Sequence, residues 1–435
     1  MSKKALVVGL SKSGLAAINL LRKENYNITL TVNEKLDQTI LDQFKDIRVI
    51  DGMHPLSLLE EKWDFIVKNP GIPYRVEFIA AAQKKGIKII SEIELGYIYS
   101  NNINLAITGT NGKTTTTTLI YNIMKEAYDN TYLAGNIGFP LCDVVLEHKS
   151  NNYIIMELSS FQLMGIETFK PKISTIMNLS PDHLDYMDTV EDYYYSKTSI
   201  FKNQNKDDFY ILNLDDQLVV DYSKNINANI ITLSTNNKQA DVFLENDIIK
   251  YKSEPILNIN DLSIQGIHNV YNTMFAIAYA KIMNVDNNII QKICSEFRGV
   301  EYRLEKVYEN GNIYYNDSKA TTPDSTITAL NAFNKEEIVL ILGGKEKNLD
   351  FSKLIELINV KNNIVEVISF GQIKNSFNDI KKETKVVDTL DDAIKYIKGK
   401  YKDKVIIFSP ATSSFDQFQN YEKRGEYYNK LVKGE

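Results

Sequence analysis

Cysteine is nearly absent. Cys142 and Cys294 are the only two in 435 residues. They stand far apart and in no metal-like spacing, which excludes a disulfide framework or a cysteine-built zinc cluster and fits a reducing compartment. Arginine is scarce as well, with six among the 50 basic residues, so Arg303 and Arg424, inside motif-like stretches, stand out. No apolar run approaches the ~18 residues of a membrane span. The opening MSKKALVVGLSKSG has too short an apolar stretch for a secretory leader, and Lys12 interrupts it. No membrane partner and a cytoplasmic location are expected. An excess of positive charge is also missing: 56 acidic residues outweigh 50 basic ones, for a net charge of −6. That argues against nucleic acid as the main partner. A local phosphate site survives this argument, because backbone N–H groups and a few lysines suffice for one. No repeat with a period of 20–50 residues is visible, which excludes a solenoid.

What is present is ordinary globular usage, 43% hydrophobic and 24% charged, over a length that suggests about three domains. Short apolar runs alternate with helical patterns. KALVVG, NITLTV, DFIVKN and IKII read as buried strands, with SGLAAINLLRKE and VEFIAAAQKKG as helices. The alternation restarts at NLAITG, followed by YIIMEL, ISTIMNL and FYILNL. It restarts again near IYYNDS, followed by EIVLILGG, IVEVISFG and KVIIFSP. This pattern predicts an α/β protein with parallel sheets and crossover helices. Boundaries fall near residues 93 and 299, giving domains over 1–93, 94–299 and 300–435. The Asn-, Asp- and Lys-rich stretch from about 213 to 265 reads as hairpins and loops.

ITGTNGKTTTTTLI, residues 107–120, carries the strongest chemical signal. A strand runs into a glycine-containing turn and then a helix. The backbone N–H groups from Gly109 through Thr110, Asn111 and Gly112 to Thr114 can wrap a phosphate, helped by the helix N-terminus. Lys113 adds a cation, and the Thr114 hydroxyl can ligate Mg²⁺. The general pattern wants glycine at position 107, where Ile stands. In YIIMELSSFQL, Glu157 ends a strand at the edge where parallel sheets bind ligands; it suits Mg²⁺ or a helix cap. His183, in NLSPDHLDYM, follows another strand and is either structural or a metal ligand. Lys197, on the helix YYYSKTSIF, reads locally as a solvated charge.

His268, Asn269 and Asn272 share the first turn of a helix over 266–280, as N-cap and surface amides or as partners of a nucleobase. In YNDSKATTPDSTITAL, Asp317, Lys319 and Thr321 cluster before a helix that starts near Pro323. They can address phosphate and metal, or form a capping box. GGKEKNLDF, with Lys347, and SPATSSFDQFQNYEKRGEYY, with Ser414, each follow a strand where an acidic substrate would sit. VVGLSKSGLAA, residues 7–17, is a degenerate dinucleotide fingerprint. Ser11 replaces its second glycine, and Val32 and Asn33 precede Glu34 where an acidic residue is wanted. On its own it is compatible with a nicotinamide-dependent dehydrogenase or with a nucleotide-phosphate site of another kind.

In order, GTNGKTT, MELSSFQL, NLSPDHLDYM, the lysine-bearing helix, GxHNxxN, R-x-E, NDSKAT, GGxxKxxDF and SPATSSFDQF resemble the Mur ligase family, from about residue 5 to 430. The resemblance implies a Rossmann-like N-terminal domain for the UDP part of the substrate, a central P-loop-type ATPase domain with a parallel sheet, and a Rossmann-like C-terminal domain for the incoming amino acid. It implies an ATP-dependent amide ligase working through an acyl phosphate. NDSKAT, KNPGIPY and the tail point within the family to UDP-N-acetylmuramoyl-L-alanine and D-glutamate as substrates. The alternative is another Mur-type or a folylpolyglutamate-type amino-acid ligase.

By resemblance, ATP falls to Gly109, Thr110, Asn111, Gly112, Lys113, Thr114, Thr115, Asn269, Asn272, Arg303, Asp317 and Lys319. Two Mg²⁺ sites fall to Thr114 with Glu157 and to His183 with Lys197, the lysine as its carbamate; Lys113, Glu157, His183 and Lys197 form the catalytic set. The acceptor and D-glutamate fall to Asn69, Asn136, Ser159, Thr321, Lys347, Ser414, Phe415 and Tyr421. A monomer without nucleic-acid or membrane partners is expected. The sequence departs from the family at Tyr302, usually His, at Glu346, usually Asp, at Tyr421, often Phe, and at Asn33–Glu34, where others carry an acidic pair.

Overall fold

The computed structural model describes residues 3–182, 186–187, 189–264, 266–333, 336–347 and 349–435. The chain divides into two compact units, Met1–Phe297 and Arg298–Glu435. Among the described residues, two sheets lie in the first unit and one in the second.

The first sheet has five parallel strands in the spatial order Arg48–Asp51, Asn27–Val32, Lys4–Val8, Phe65–Lys68, Ile89–Ile90. Ala5 to Val8 are wholly buried, as a strand covered on both faces by crossover helices requires. Gly9 then turns the chain at a φ of 91° into the helix Lys12–Lys23. A Cβ at Gly9 would stand 2.9 Å from the Cβ of Asn69, so the turn admits only glycine.

The second sheet has nine strands. Its order is Glu254–Asn258, Ile248–Tyr251, Val242–Glu245, Asn229–Ser234, Phe209–Asn213, Ile173–Ile176, Asn101–Thr108, Ser150–Glu157, Thr131–Gly135. The pairings are parallel except for the last two hairpins of the meander over Val242–Asn258. The stretch from 213 to 265 thus holds the expected hairpins. It also holds a helix, Gln217–Tyr222, and a parallel strand, Asn229–Ser234. Asn101–Thr108 is flanked by Ser150–Glu157 on one side and Ile173–Ile176 on the other. It is the point at which the strand order reverses, where α/β sheets bind ligands at their C-terminal ends. The helices Lys113–Ala127 and Ile267–Ile282 pack against each other over the sheet.

The second unit holds six strands in the order Glu305–Glu309, Ile313–Asn316, Val405–Phe408, Ile338–Gly344, Ile364–Gly371, Glu383–Val386, with only the first pair antiparallel. The helices Pro323–Asn331, Ser352–Val360, Leu390–Lys400 and Tyr421–Lys433 cover it. The α/β class and parallel-rich sheets agree with the sequence reading.

Candidate active site

Three strand ends of the nine-stranded sheet meet at the reversal point, and each carries chemistry. Thr108 leads into Gly109–Gly112, and the helix starts at Lys113. Gly112 sits at a φ of 80°, and a Cβ there would lie 2.6 Å from Asn272 Oδ1. Glycine is therefore required twice over, by conformation and by the closeness of the neighbouring helix. Lys113 is half-buried and its Nζ donates to the Thr110 carbonyl at 2.8 Å. Its place on the first helical turn, rather than on a free loop, aims a cation and the helix N-terminus at the same volume. Thr114 is buried at the next position.

The neighbouring strand ends at Glu157, paired in register with Ile107 and Gly135. Its side chain is 1% exposed. Oε1 accepts from Asn136 Nδ2 at 2.6 Å, while Oε2 is buried with no hydrogen-bond partner among the described residues. A buried carboxylate oxygen left without a donor costs roughly 1–3 kcal/mol or more. A divalent cation is the group that would satisfy it. Asn136, expected on the substrate, here orients that carboxylate. Ser159, and not Glu157, caps the short helix Ser160–Leu163, in a capping box with Gln162.

Lys197 lies on the helix Val190–Thr198, and its side chain is buried. The expectation of a solvated charge is wrong. Nζ donates to the Gly109 carbonyl at 3.0 Å and stands 4.4 Å from the centre of the Tyr193 ring. Burial, reinforced by the charge of Lys113, pulls this amine well below the ordinary lysine range. A neutral, buried amine is the form that reacts with CO₂, and a carbamate would convert it to an anionic oxygen donor. Among the described residues no three His, Cys, Asp or Glu side chains cluster to hold a metal. The donor set at these strand ends is a carboxylate, a hydroxyl and this lysine, and the unpaired Glu157 oxygen fits Mg²⁺. His183 lies outside the described residues.

The third strand, Ile173–Ile176, leads to Asn178, which sequence reasoning passed over. Its amide clamps the phosphate turn: Oδ1 accepts from Asn111 N at 2.8 Å and Nδ2 donates to Asn111 O at 3.0 Å. An Asn directly after an apolar strand was the available signal. Asn272 also differs from expectation. Its Oδ1 accepts from Thr116 at 3.1 Å and its Nδ2 donates to Asn269 Oδ1 at 3.0 Å. It is buried between the two helices and bolts one to the other. Asn69, at the end of Phe65–Lys68, accepts from Gly71 N through its side chain at 3.0 Å.

In the second unit, Asp317 follows Ile313–Asn316 and is almost fully buried. It accepts from Ser409 Oγ at 2.7 Å and from Leu304 N at 3.2 Å. Burial nevertheless pushes its carboxyl up to about 7 against the pull of those donors and of Arg303. Lys319 stands 5.6 Å over the Tyr421 ring. Tyr302 takes a φ of 60°, and its ring lies where a Cβ on Gly425 would stand, 2.2 Å from Cδ1. Arg424, fully buried, donates to Ser318 O at 2.8 Å, Thr412 O at 3.0 Å and Ser318 Oγ at 3.0 Å. It braces the strand-end loops from within. Ser414 is buried, Thr321 and Tyr421 are half-buried, and Phe415 and Lys347 are exposed.

A glycine turn opening a helix at a strand-order reversal, faced by a buried carboxylate, defines a phosphate-binding α/β protein. Comparison with known proteins narrows the class. Residues 3–91 match the N-terminal domain of MurD-like Mur ligases, 107–280 the Mur ligase middle domain, and 302–412 the Mur ligase glutamate ligase domain. The UDP-N-acetylmuramoylalanine–D-glutamate ligase of Geobacillus sp. (strain WCH70) is 38% identical, over 98% of this chain and 96% of the relative. The enzyme of that name from Streptococcus sanguinis (strain SK36) is 37% identical over the same shares. Among solved structures, the UDP-N-acetylmuramate–alanine ligase of Thermotoga maritima superposes with a TM-score of 0.56 at 19% identity over the whole of both chains. The MurF ligase of Thermotoga maritima in complex with ADP gives 0.58 at 14%, over 100% of this chain and 96% of that one. These two share the fold. The chain belongs to the Mur ligase family.

Proposed function

We propose that this chain joins D-glutamate to UDP-N-acetylmuramoyl-L-alanine in peptidoglycan precursor synthesis, at the expense of ATP. It would act in the cytoplasm as a monomer, with domains over 1–93, 94–299 and 300–435. The observation that carries the ligase chemistry is the meeting of Lys113, the unpaired Glu157 oxygen and the buried Lys197 around one glycine turn. The choice of substrates rests on the D-glutamate ligases that the chain resembles along almost its whole length.

A carboxylate is a poor electrophile. Phosphorylation of the alanyl carboxylate by ATP gives an acyl phosphate with a good leaving group. The amine of D-glutamate then attacks the carbonyl carbon, and the tetrahedral species collapses to an amide and inorganic phosphate. Two anions must first be held together, so cations are needed. Lys113 and the N–H groups of the turn supply charge to the phosphates. Glu157 with Thr114 would hold one Mg²⁺, and His183 with carbamylated Lys197 a second; bound there, the metals would neutralise phosphate charge. Arg303, Asp317, Lys319 and Asn269 are assigned to ATP. Asn69, Asn136 and Ser159 are assigned to the acceptor, and Thr321, Lys347, Ser414, Phe415 and Tyr421 to D-glutamate.

The test is phosphate release from ATP with UDP-N-acetylmuramoyl-L-alanine, comparing D-glutamate, L-glutamate, L-lysine and meso-diaminopimelate. Release with D-glutamate alone is expected. Release with another amino acid would overturn the specificity, and release with none would overturn the acceptor.

A further inference from the structure

The segment Lys68–Arg75 makes a set of contacts that the proposed chemistry does not use. Lys68 ends the strand Phe65–Lys68, in register with Val8, and is 3% exposed. No carboxylate pairs with it within 4 Å among the described residues. Its Nζ instead donates to the carbonyls of Ile72 at 2.7 Å and Asn69 at 3.1 Å and to the Tyr186 hydroxyl at 3.2 Å. It also stands 4.6 Å over the Tyr74 ring.

Tyr186 comes from the segment after the strand Ile173–Ile176, three residues beyond His183. Its hydroxyl lies 2.8 and 2.7 Å from the carbonyls of Pro70 and Ile72, able to donate to either. Its backbone carbonyl accepts from Arg75 at 2.9 Å. Its ring packs on Phe161, centroids 4.0 Å apart, and Phe161 lies on the short helix that follows Glu157.

A buried cation left without a counter-ion is expensive unless every one of its protons is held. Here the loop curls around the ammonium and the Tyr186 hydroxyl completes the shell. The same loop begins with Asn69, whose Cβ lies against Gly9 at the start of the N-terminal helix. One run of contacts therefore joins the glycine turn of the first sheet to the strand end that carries Glu157. A substrate that is anchored at the first and reacts at the second needs that spacing fixed.

We propose that Lys68 and Tyr186 are positioning residues for the nucleotide-sugar acceptor, holding the 68–75 loop and the helix Ser160–Leu163, on which Tyr186 packs through Phe161, at the separation the acceptor spans. The proposal rests on the acceptor assignment above. Neither residue is among those assigned to the reacting groups. They act through the loop, so their loss weakens capture of one substrate and leaves phosphate chemistry in place.

The test is steady-state kinetics of Tyr186→Phe, Lys68→Met and the double variant, varying each substrate in turn, with thermal melts as a control. Loss of one such hydrogen bond is expected to raise KM for UDP-N-acetylmuramoyl-L-alanine roughly five- to tenfold in either single variant. KM for ATP and for D-glutamate should stay within about twofold. The double variant should be no worse than the worse single one, because the two residues act as a unit. If Lys68→Met fails to fold, Tyr186→Phe, which keeps the ring on Phe161, carries the test alone. Unchanged acceptor KM, equal rises in all three KM values, or fully additive effects would overturn the proposal. A wild-type enzyme that does not turn over this acceptor would instead overturn the substrate assignment.

Discussion

Lys197 and Glu157 are each expensive where they are, and that expense points to what they do. A lysine buried against a backbone carbonyl and a tyrosine ring gains little over a leucine there in stability alone. Lys197→Ala should therefore fold, as a melting curve would show, and lose activity by a factor of about 100 or more. Short-chain carboxylic acids, able to place an oxygen where the carbamate would sit, should restore part of it. Wild-type activity in the variant would remove the carbamate from the scheme. For Glu157, the oxygen that has no donor among the described residues makes the carboxamide variant informative. Glu157→Gln keeps the shape and removes the charge, so stability should hold or rise by about 1 kcal/mol. Mg²⁺-dependent turnover should fall by a factor of about 100. Phosphate release across a Mg²⁺ titration measures it, and an unchanged Mg²⁺ response would remove Glu157 as a ligand.

Gly112 and Asn272 show how far two helices depend on single side chains. Gly112 ends the phosphate turn at a φ of 80° with Asn272 Oδ1 where a Cβ would go, and Asn272 in turn bonds Thr116 one helical turn further on. Gly112→Ala should destabilise by about 1–3 kcal/mol, read as a lower urea midpoint. It should also raise KM for ATP, because the turn must open to relieve the clash. At this scale the sequence was legible where a strand is buried on both faces. ALVV, IVLILGG and VIIF are continuous apolar runs, and they lie in strands. It was not legible at sheet edges. Thr131–Gly135 is half-exposed, and Arg48–Asp51 has no fully buried residue, so neither makes an apolar run. The site followed the same rule. The turn 109–114 and Glu157 lie at strand ends set by local pattern. The burial of Lys197 and the turning of Asn272 away from the surface depend on which helix packs where, which spacing along one helix does not encode.

Two compact units in one chain let pH act on them separately, and the single tryptophan provides a way to see it. Trp63 lies in the first unit, with its indole nitrogen donating to Leu58 O at 2.7 Å, so its fluorescence reports that unit, whereas far-UV dichroism reports both. Burial pushes Asp317, in the second unit, up to about 7 from an ordinary value of 3.8. The folded form then binds its proton more tightly than the unfolded chain. Stability from this group is fully present below about pH 4 and is lost as pH rises through 7. Lys68, in the first unit, is pulled down to about 7 from 10.5 by burial. There the unfolded chain holds the proton more tightly, so stability from this group rises with pH from about 7 to 10.5. Asp317→Asn should thus gain stability relative to the wild type as pH goes from 5 to 8. The gain should appear in the dichroism transition and leave the tryptophan transition unmoved. Lys68→Met should do the reverse: its stability relative to the wild type should fall between pH 7 and 10, in the tryptophan signal. Denaturant melts at pH 5, 7, 8 and 10 decide both. Movement of the tryptophan transition in Asp317→Asn would show that the two units unfold as one, because a group in the second cannot otherwise reach a probe in the first.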